Sequence, residues 1–176
     1  TDPGQVCKVL AQKAERLGVT FKQCTIHAIK PCEDGSFELH HQDGVHPAPR
    51  LAICAGAWSL KLLKPLGIKV PLIGERGYHV VFHDPGVRLN NSISDASAKV
   101  ILSQMDAGLR IAGTAEFADP DAPPNYARAR ALVPLAKRIL PQLETSQQTE
   151  WMGVRPSFPD NLPVIDRLGD FANLYG

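Results

Sequence analysis

Three extended segments in the middle of the chain most constrain its fold. Each is long enough for a strand of six to eight residues, and polar turns separate one segment from the next. They are Arg76–His83, Ala98–Ser103 and Gly108–Thr114. Long strands joined by polar turns are typical of an antiparallel sheet. The sequence therefore predicts such a sheet, in a module that begins near residue 71.

A helical stretch is predicted after the sheet, from Asn125 to about Leu140. Its apolar residues recur at the spacing of one helix face. They are Leu132, Leu135, Ala136 and Ile139. Pro134 lies inside this stretch and lacks the backbone N–H that an α-helix needs, so we expect it to kink the helix or divide it in two. A further strand is predicted over Thr149–Val154.

The first 70 residues follow another pattern. A helix is predicted from Asp2-Pro3 to Gly18, since Asp is a good N-cap and Pro suits the first helical position. Short extended pieces follow and predict a β-meander: Val19–Lys22, Thr25–Lys30 and Ser36–Gln42. Leu51–Cys54 is a continuous apolar run, typical of a strand buried on both faces.

Composition excludes several functional classes. The 176 residues carry a formal net charge of +1 and no cluster of Lys and Arg, so the electrostatic basis for binding nucleic acid is missing. No apolar run approaches the roughly 20 residues of a membrane-spanning helix. The four cysteines form no CxxC pair and have no zinc-site spacing. Reduced thiols are favoured over disulfides, with Cys7 and Cys54 expected as small core residues.

Searches for common catalytic motifs find little. There is no GxSxG, HExxH or P-loop pattern, and no predicted metal site. None of the 14 glycines has another glycine two positions later, so the chain lacks even the first half of a GxGxxG dinucleotide fingerprint. The sequence therefore predicts neither a catalytic acid, base or nucleophile nor a phosphate-binding loop of its own.

Two local features suggest ligand binding. The strand ending at Cys54 continues into Ala55-Gly56-Ala57-Trp58-Ser59, where small residues allow close approach and the Trp offers a flat apolar wall. A tight turn around a packed Trp explains the same residues equally well. In Trp151–Pro156, Arg155 follows an apolar strand and precedes a Pro-rich turn, and its guanidinium suits bidentate capture of a carboxylate. Hydrogen bonds from this Arg to loop carbonyls are the alternative.

Together these segments resemble the FAD-dependent D-amino acid oxidase family, and within it the bacterial D-amino acid dehydrogenases. The resemblance covers nearly the whole chain. The matching segments are Leu51–Ser59 (LAICAGAWS), Arg76-Gly77-Tyr78, Leu109–Glu116 (LRIAGTAE) and Trp151–Ile165 (WMGVRPSFPDNLPVI). The last is the most specific, because it matches the family pattern W-x-G-x-R-P-x-x-P-D-G-x-P-x-I.

The resemblance implies a role for five residues. Arg155 matches the arginine that pairs with the substrate carboxylate. Ala55, Gly56 and Trp58 match the turn beside the flavin, and Ile26 matches an adenine-side strand that contacts FAD through its backbone. Three positions depart from the family pattern: Asn161 and Asp166 replace glycines, and Ala98 stands where several relatives carry a substrate-binding tyrosine.

The implied fold is α+β: an antiparallel substrate-domain sheet with flanking helices, joined to part of an α/β FAD-binding domain. The expected division is 1–70 and 153–176 for the FAD-binding part and 71–152 for the substrate-binding domain. The N-terminal GxGxxG unit and the C-terminal G-H segment of the family are absent. We therefore expect a piece of a longer protein that is inactive and binds little FAD by itself.

The implied activity is oxidation of the C–N bond of a D-amino acid to an imino acid, with FAD as hydride acceptor. The expected partners are a small amino acid and an unidentified electron acceptor, in the cytoplasm or peripheral to the inner membrane. A glycine or sarcosine oxidase of the same family is one alternative. A non-catalytic binding or assembly module is the other.

Overall fold

The computed structural model describes residues 3–176, which fold into two compact units. One contains the N-terminal helix and Glu75–Arg155, and the other contains Val19–Gly74 and Pro156–Gly176. In chain order the elements are α1 (Pro3–Arg16), β1 (Ile26–Pro31), β2 (Phe37–His41), β3 (Gly44–Ala48), β4 (Leu51–Ala52), α2 (Ser59–Leu63), β5 (Ile73–Phe82), β6 (Ile93–Asp95), β7 (Val100–Met105), β8 (Gly108–Phe117), α3 (Ala127–Arg130), α4 (Leu132–Ile139), β9 (Gln148–Ser157) and β10 (Leu174–Tyr175). Asp2, predicted as the helix cap, lies outside the described residues.

The first unit is built on a five-stranded sheet with the order β6-β7-β8-β5-β9. The pairs β6–β7, β7–β8 and β5–β8 are antiparallel. At one end of β5 the His83 N–H donates to the Gln147 carbonyl, 2.9 Å away, and at the other end Glu75 meets Arg155. These contacts show that β9 also runs antiparallel to β5. The predicted antiparallel sheet is confirmed.

One face of this sheet forms the core of the unit. Side chains alternate between the two faces of a strand, and the inward set is almost wholly apolar. Strands contribute Tyr78, Val80, Phe82, Val100, Leu102, Leu109 and Ile111, while Ala129, Leu132 and Ala136 come from α3 and α4. The predicted helix is divided at Ala131, and Pro134 occupies the first turn of α4, where its missing N–H costs little. The predicted division is therefore confirmed.

A polar cluster centred on Glu116 crosses the same face, with Arg76 and Tyr78 buried and Arg128 partly exposed. Arg76, only 2% exposed, donates from Nη2 to the Pro123 carbonyl at 2.8 Å, and its Nε lies 3.6 Å from Glu116. The Tyr78 hydroxyl donates to Glu116, and Arg128 Nε donates to the other Glu116 oxygen at 2.9 Å. The Glu116 carboxylate, on β8, thus connects Tyr78 of β5 with Arg128 of α3.

The second unit contains an antiparallel meander, β1-β2-β3, and a parallel pair formed by β4 and β10. Its core includes Ile29, Phe37, Ile53, Leu63 and Leu174. The meander confirms the prediction for Thr25–Lys30 and Ser36–Gln42. The α+β class is confirmed for the described residues, because helices and antiparallel sheets both occur.

Several local predictions are wrong. Val19–Lys22 forms no strand, and in the apolar run Leu51–Cys54 only Ile53 is buried, since β4 pairs with a single two-residue neighbour. Cys7 and Cys54 are exposed rather than packed in a core.

Every residue of α1 is exposed or half-buried. No helix within residues 3–176 is long and apolar enough to cross a bilayer.

Candidate functional site

Arg155 lies on the face of the five-stranded sheet that α3 and α4 leave uncovered. Successive side chains of β9 lie on opposite faces of the sheet, and Met152 packs against the core of the unit on one face. Arg155, three positions further along, therefore lies on the other face. On the neighbouring strand β5, Glu75 occupies the same uncovered face, and its Oε1 accepts a hydrogen bond from Arg155 Nη1. The Arg155 side chain remains 62% exposed, against 21% for Glu75. Arg155 therefore presents a charged group to solvent from a fixed strand position.

Gly77 provides the space that the Arg155 side chain occupies. A β-carbon at residue 77 would lie 2.8 Å from Arg155 Nη2, 3.2 Å from Cζ and 3.6 Å from Nε. Three atoms of the guanidinium therefore lie close above the glycine. The guanidinium crosses from β9 to β5 and rests on the backbone there. Its position is set by β5 as well as by its own strand.

Trp151 forms a flat apolar surface on the same face, four residues before Arg155. Its indole bends over Gly153, whose missing side chain leaves room for the ring. The indole also stacks on the His79 imidazole, with 4.7 Å between ring centroids and 22° between ring planes. Trp151 is held between two strands, although 53% of it is exposed. Arg155 and Trp151 thus offer an anion-binding group and an apolar surface side by side.

The protonation of His79 follows from its surroundings. Burial lowers the pKa of the imidazole below its usual value of 6.5, and the positive charge of Arg110 lowers it further. The uncharged imidazole is therefore favoured at neutral pH. Arg110 pairs in register with Val81, which places it on the uncovered face. Its Nε is buried without a hydrogen-bond partner among the described residues.

The turn predicted to lie beside the flavin belongs to the second unit. It follows β4, which runs parallel to β10, and the Ile53 N–H donates to the Tyr175 carbonyl at 2.8 Å. Gly56–Trp58 then form a short 3₁₀ helix that leads directly into α2. In sheets with parallel strands, ligands bind outside the carboxyl ends of the strands. The turn occupies such a position.

The residues of this turn leave room for a flat ligand. Gly56 has a φ of +57°, and a β-carbon added to it would have nothing within 4 Å. Ala55 is half-buried, and Trp58 is 40% exposed. The backbone at Gly56 is thus both open to contact and in the left-handed region that favours glycine. Among the described residues, these small and partly exposed groups fit one side of a ring system such as a flavin.

Ile26 begins β1 and packs, with Ala55, against the core of the second unit. The register of β1 against β2 shifts between Ile26 and Ala28, so the ladder is irregular at this point. A bulge leaves a residue outside the regular ladder and can direct its backbone groups elsewhere. The residue outside the ladder here is His27, because Ile26 itself pairs with His41. Ile26 and the turn are thus in the second unit, whereas Arg155 is in the first.

Sequence reasoning found Arg155 but missed the residues around it. Gly77 and Gly153 lie within the motifs that carried the resemblance, yet the motifs alone give no reason for a glycine at either place. Glu75 and Arg155 are 80 positions apart in the sequence. Their contact follows from the pairing of β5 with β9, and the only sequence signal for it was a charged residue just before Arg76-Gly77-Tyr78.

Comparison with protein families gives one match that covers the whole chain. The model of the family described as "FAD dependent oxidoreductase" matches residues 1–176. Among curated proteins, the D-amino-acid oxidase of Bradyrhizobium diazoefficiens is 33% identical over 168 residues, or 93% of this chain and 40% of that protein. The D-amino acid dehydrogenase of Paramagnetospirillum magneticum is 34% identical, with the same two coverages. The chain spans about two fifths of the length of these relatives.

Solved structures share the fold. The L-proline dehydrogenase from P. horikoshii superposes with a TM-score of 0.80 and 18% identity, over 99% of this chain and 49% of that one. The glycine oxidase from Geobacillus kaustophilus gives a TM-score of 0.77 and 19% identity, over 94% of this chain and 45% of that one. At these identities the likeness concerns the fold alone.

Proposed function

Because the chain belongs to the family of FAD-dependent oxidoreductases, we propose that it forms part of a flavoenzyme that oxidises the C–N bond of D-amino acids. The observation that carries this proposal is Arg155, a partly exposed guanidinium on the uncovered sheet face, inside the segment most specific to the family. The curated relatives are called D-amino-acid oxidase and D-amino acid dehydrogenase, which supports this substrate class.

In this proposal Arg155 binds the substrate carboxylate. A guanidinium offers two parallel N–H donors to a carboxylate, so it fixes the orientation of the substrate as well as its charge. Trp151 and the uncharged His79 provide an apolar surface beside it for the rest of the substrate. Held at one end, the bound substrate has few orientations left.

The reaction would remove a hydride from Cα and release a proton from the amino group to water, which leaves a C=N double bond in the imino acid. FAD, when bound, supplies the chemistry by accepting the hydride and passing two electrons to an acceptor. The chain therefore needs groups that bind and orient the substrate more than it needs a strong acid or base. This agrees with a sequence that predicts no catalytic acid, base or nucleophile.

In this proposal residues 71–152 belong to the substrate-binding domain and residues 1–70 with 153–176 to the FAD-binding domain, except that Arg155, which lies on β9 of the first unit, binds the substrate. Ala55, Gly56, Trp58 and Ile26 would hold one side of FAD through small side chains, backbone groups and one indole. The pyrophosphate needs a glycine-rich loop at a helix N-terminus, and the 176 residues contain no GxGxxG pattern. We therefore propose that this chain alone binds little FAD and is inactive.

A flavin titration tests the cofactor proposal. Adding the 176-residue chain to FAD should leave the visible absorbance spectrum of free FAD nearly unchanged at micromolar concentrations. The control is the intact flavoenzyme, which should perturb the same bands. Tight one-to-one binding by the chain would refute the proposal that the cofactor site is incomplete here.

An acceptor assay separates the main proposal from the related oxidase. The intact flavoenzyme should reduce an artificial electron acceptor with D-alanine and not with L-alanine. Hydrogen peroxide formation with glycine or sarcosine, at rates above those with D-alanine, would instead favour an oxidase of the glycine or sarcosine type. Absence of flavin reduction by any amino acid would favour the non-catalytic module.

A further inference from the structure

Gly77 stands at a strand position where its backbone does not require glycine. Its φ lies outside the left-handed region, so any residue could adopt the same backbone. Glycine in a strand interior costs stability, because it loses more conformational freedom and contributes no side chain to packing. Since neither backbone geometry nor stability accounts for this glycine, space is the remaining physical reason.

Arg155 fills that space. The atoms nearest to a β-carbon at residue 77 would be Arg155 Nη2, Cζ and Nε, all within 3.6 Å. Any side chain larger than hydrogen would therefore push the guanidinium away from the sheet. The atoms in the way belong to the far end of a long, flexible side chain, which can move without disturbing the backbone.

Glu75 holds the guanidinium from another direction. Its carboxylate accepts a hydrogen bond from Arg155 Nη1, and it lies on the same face of β5, two residues before Gly77. A charge-assisted hydrogen bond of this kind restricts the rotation of an otherwise mobile side chain. The guanidinium is therefore fixed at Nη1 by Glu75 and supported from below by Gly77, while 62% of the side chain stays exposed.

We propose that Gly77 and Glu75 are positioning residues that lay the Arg155 guanidinium along the sheet, so that its exposed edge receives the substrate carboxylate. This inference rests on the proposed role of Arg155. A bidentate pair requires the guanidinium and the carboxylate to share a plane. A side chain already held in that orientation loses less entropy on binding, so substrate binding is tighter.

The substitution Gly77→Ala tests the role of the space. In the intact flavoenzyme we expect the KM for D-alanine to rise on the order of tenfold with little change in kcat, because the lost interaction is uniform binding. The inhibition constant of propionate, which carries the carboxylate but no oxidisable C–N bond, should rise by the same factor. The thermal unfolding midpoint should not fall, since alanine suits this backbone at least as well as glycine.

A double-mutant cycle distinguishes positioning from a general structural effect. In an Arg155→Lys background, Gly77→Ala should raise the KM much less, because lysine lacks the Nη atoms that meet the new methyl group. Glu75→Gln should raise the KM several-fold alone and little in the same background. Gly153→Ala is the matched control: its β-carbon meets Trp151 instead of Arg155, so its effect should add to that of Arg155→Lys.

The outcomes separate this inference from the proposal beneath it. Suppose that Arg155→Lys raises the KM, but Gly77→Ala either leaves the KM unchanged or raises it by the same factor in both backgrounds. Gly77 is then not a positioning residue, and the role of Arg155 stands. If Arg155→Lys leaves the KM unchanged, the carboxylate-binding role itself is wrong. Coupling of both Gly77 and Glu75 to Arg155 supports the inference.

Discussion

Replacing Tyr78 by Phe tests whether the Glu116 cluster stabilises the first unit. Tyr78 is 2% exposed, and its hydroxyl donates to the Glu116 carboxylate while accepting from the Asn125 N–H at 3.0 Å. Burial raises the pKa of this hydroxyl, and the hydrogen bond to Glu116 raises it further, so it stays protonated as the donor. Tyr78→Phe removes the hydroxyl and leaves the buried ring in place.

The expected loss follows from the kind of hydrogen bond removed. A hydrogen bond to a charged group contributes about 1.5–3 kcal/mol to stability. Asn125 is exposed, so water can satisfy its N–H and no further penalty arises. For a unit of under about 100 residues, this loss lowers the unfolding midpoint by roughly 6 to 24 °C.

Tryptophan fluorescence can report this unit alone. The chain has two tryptophans, Trp58 in the second unit and Trp151 in the first. A Trp58→Phe background therefore leaves Trp151 as the reporter during thermal unfolding. Tyr126→Phe is the matched control, because Tyr126 packs edge-on against Tyr78 and its hydroxyl has no hydrogen-bond partner within residues 3–176. Equal falls in the unfolding midpoint of the two variants would show that the hydrogen bonds of the Tyr78 hydroxyl do not stabilise the unit.

Two further predictions concern the sheet. Because the pKa of His79 is lowered, its imidazole should become charged only below pH 6.5, and Trp151 fluorescence should be quenched with a midpoint below that value. Arg110→Gln should move the midpoint upward, and an unchanged midpoint would exclude the influence of Arg110. The unfolded state binds this proton more readily, so the unit should lose stability as pH falls through 6.5. Gly113→Ala should lower the stability of the unit by more than about 1 kcal/mol in urea unfolding, because φ is +156° and the β-carbon would lie 2.8 Å from Val100 Cα. The control is Ala112→Gly, which removes a methyl group from the neighbouring residue. If Gly113→Ala loses no more stability than Ala112→Gly, the prediction is contradicted.

The parts of the fold that could be predicted depend on local sequence patterns. Long extended segments separated by polar turns predict β5, β7 and β8, and Pro134 predicts the division of the last helix. β3 was missed because it contains Pro47, which suits only an edge strand, and the edge position is known only from the pairing with β2. Cys54 is exposed because β4 belongs to a sheet of only two strands within the described residues, and this too is known only from the strand pairing.

The same limit applies to the candidate site. Arg155 was found through a local motif, whereas Glu75, Gly77 and His79 contact it or its neighbour Trp151 only because β5 and β9 are adjacent. Such contacts join residues that are distant in the sequence, so no local pattern reports them. The reason for a glycine at residue 77 emerges only when the guanidinium above it is seen.

Whether Arg155 binds the substrate carboxylate is decided by the KM of the intact flavoenzyme for a D-amino acid after Arg155→Lys. The control is Arg130→Lys, which changes an exposed arginine paired with Glu150 in the same unit. We expect Arg155→Lys to raise the KM about tenfold or more, since an ammonium cannot form the bidentate pair, and Arg130→Lys to leave it unchanged. An unchanged KM in Arg155→Lys would contradict the assignment of Arg155 to the substrate carboxylate.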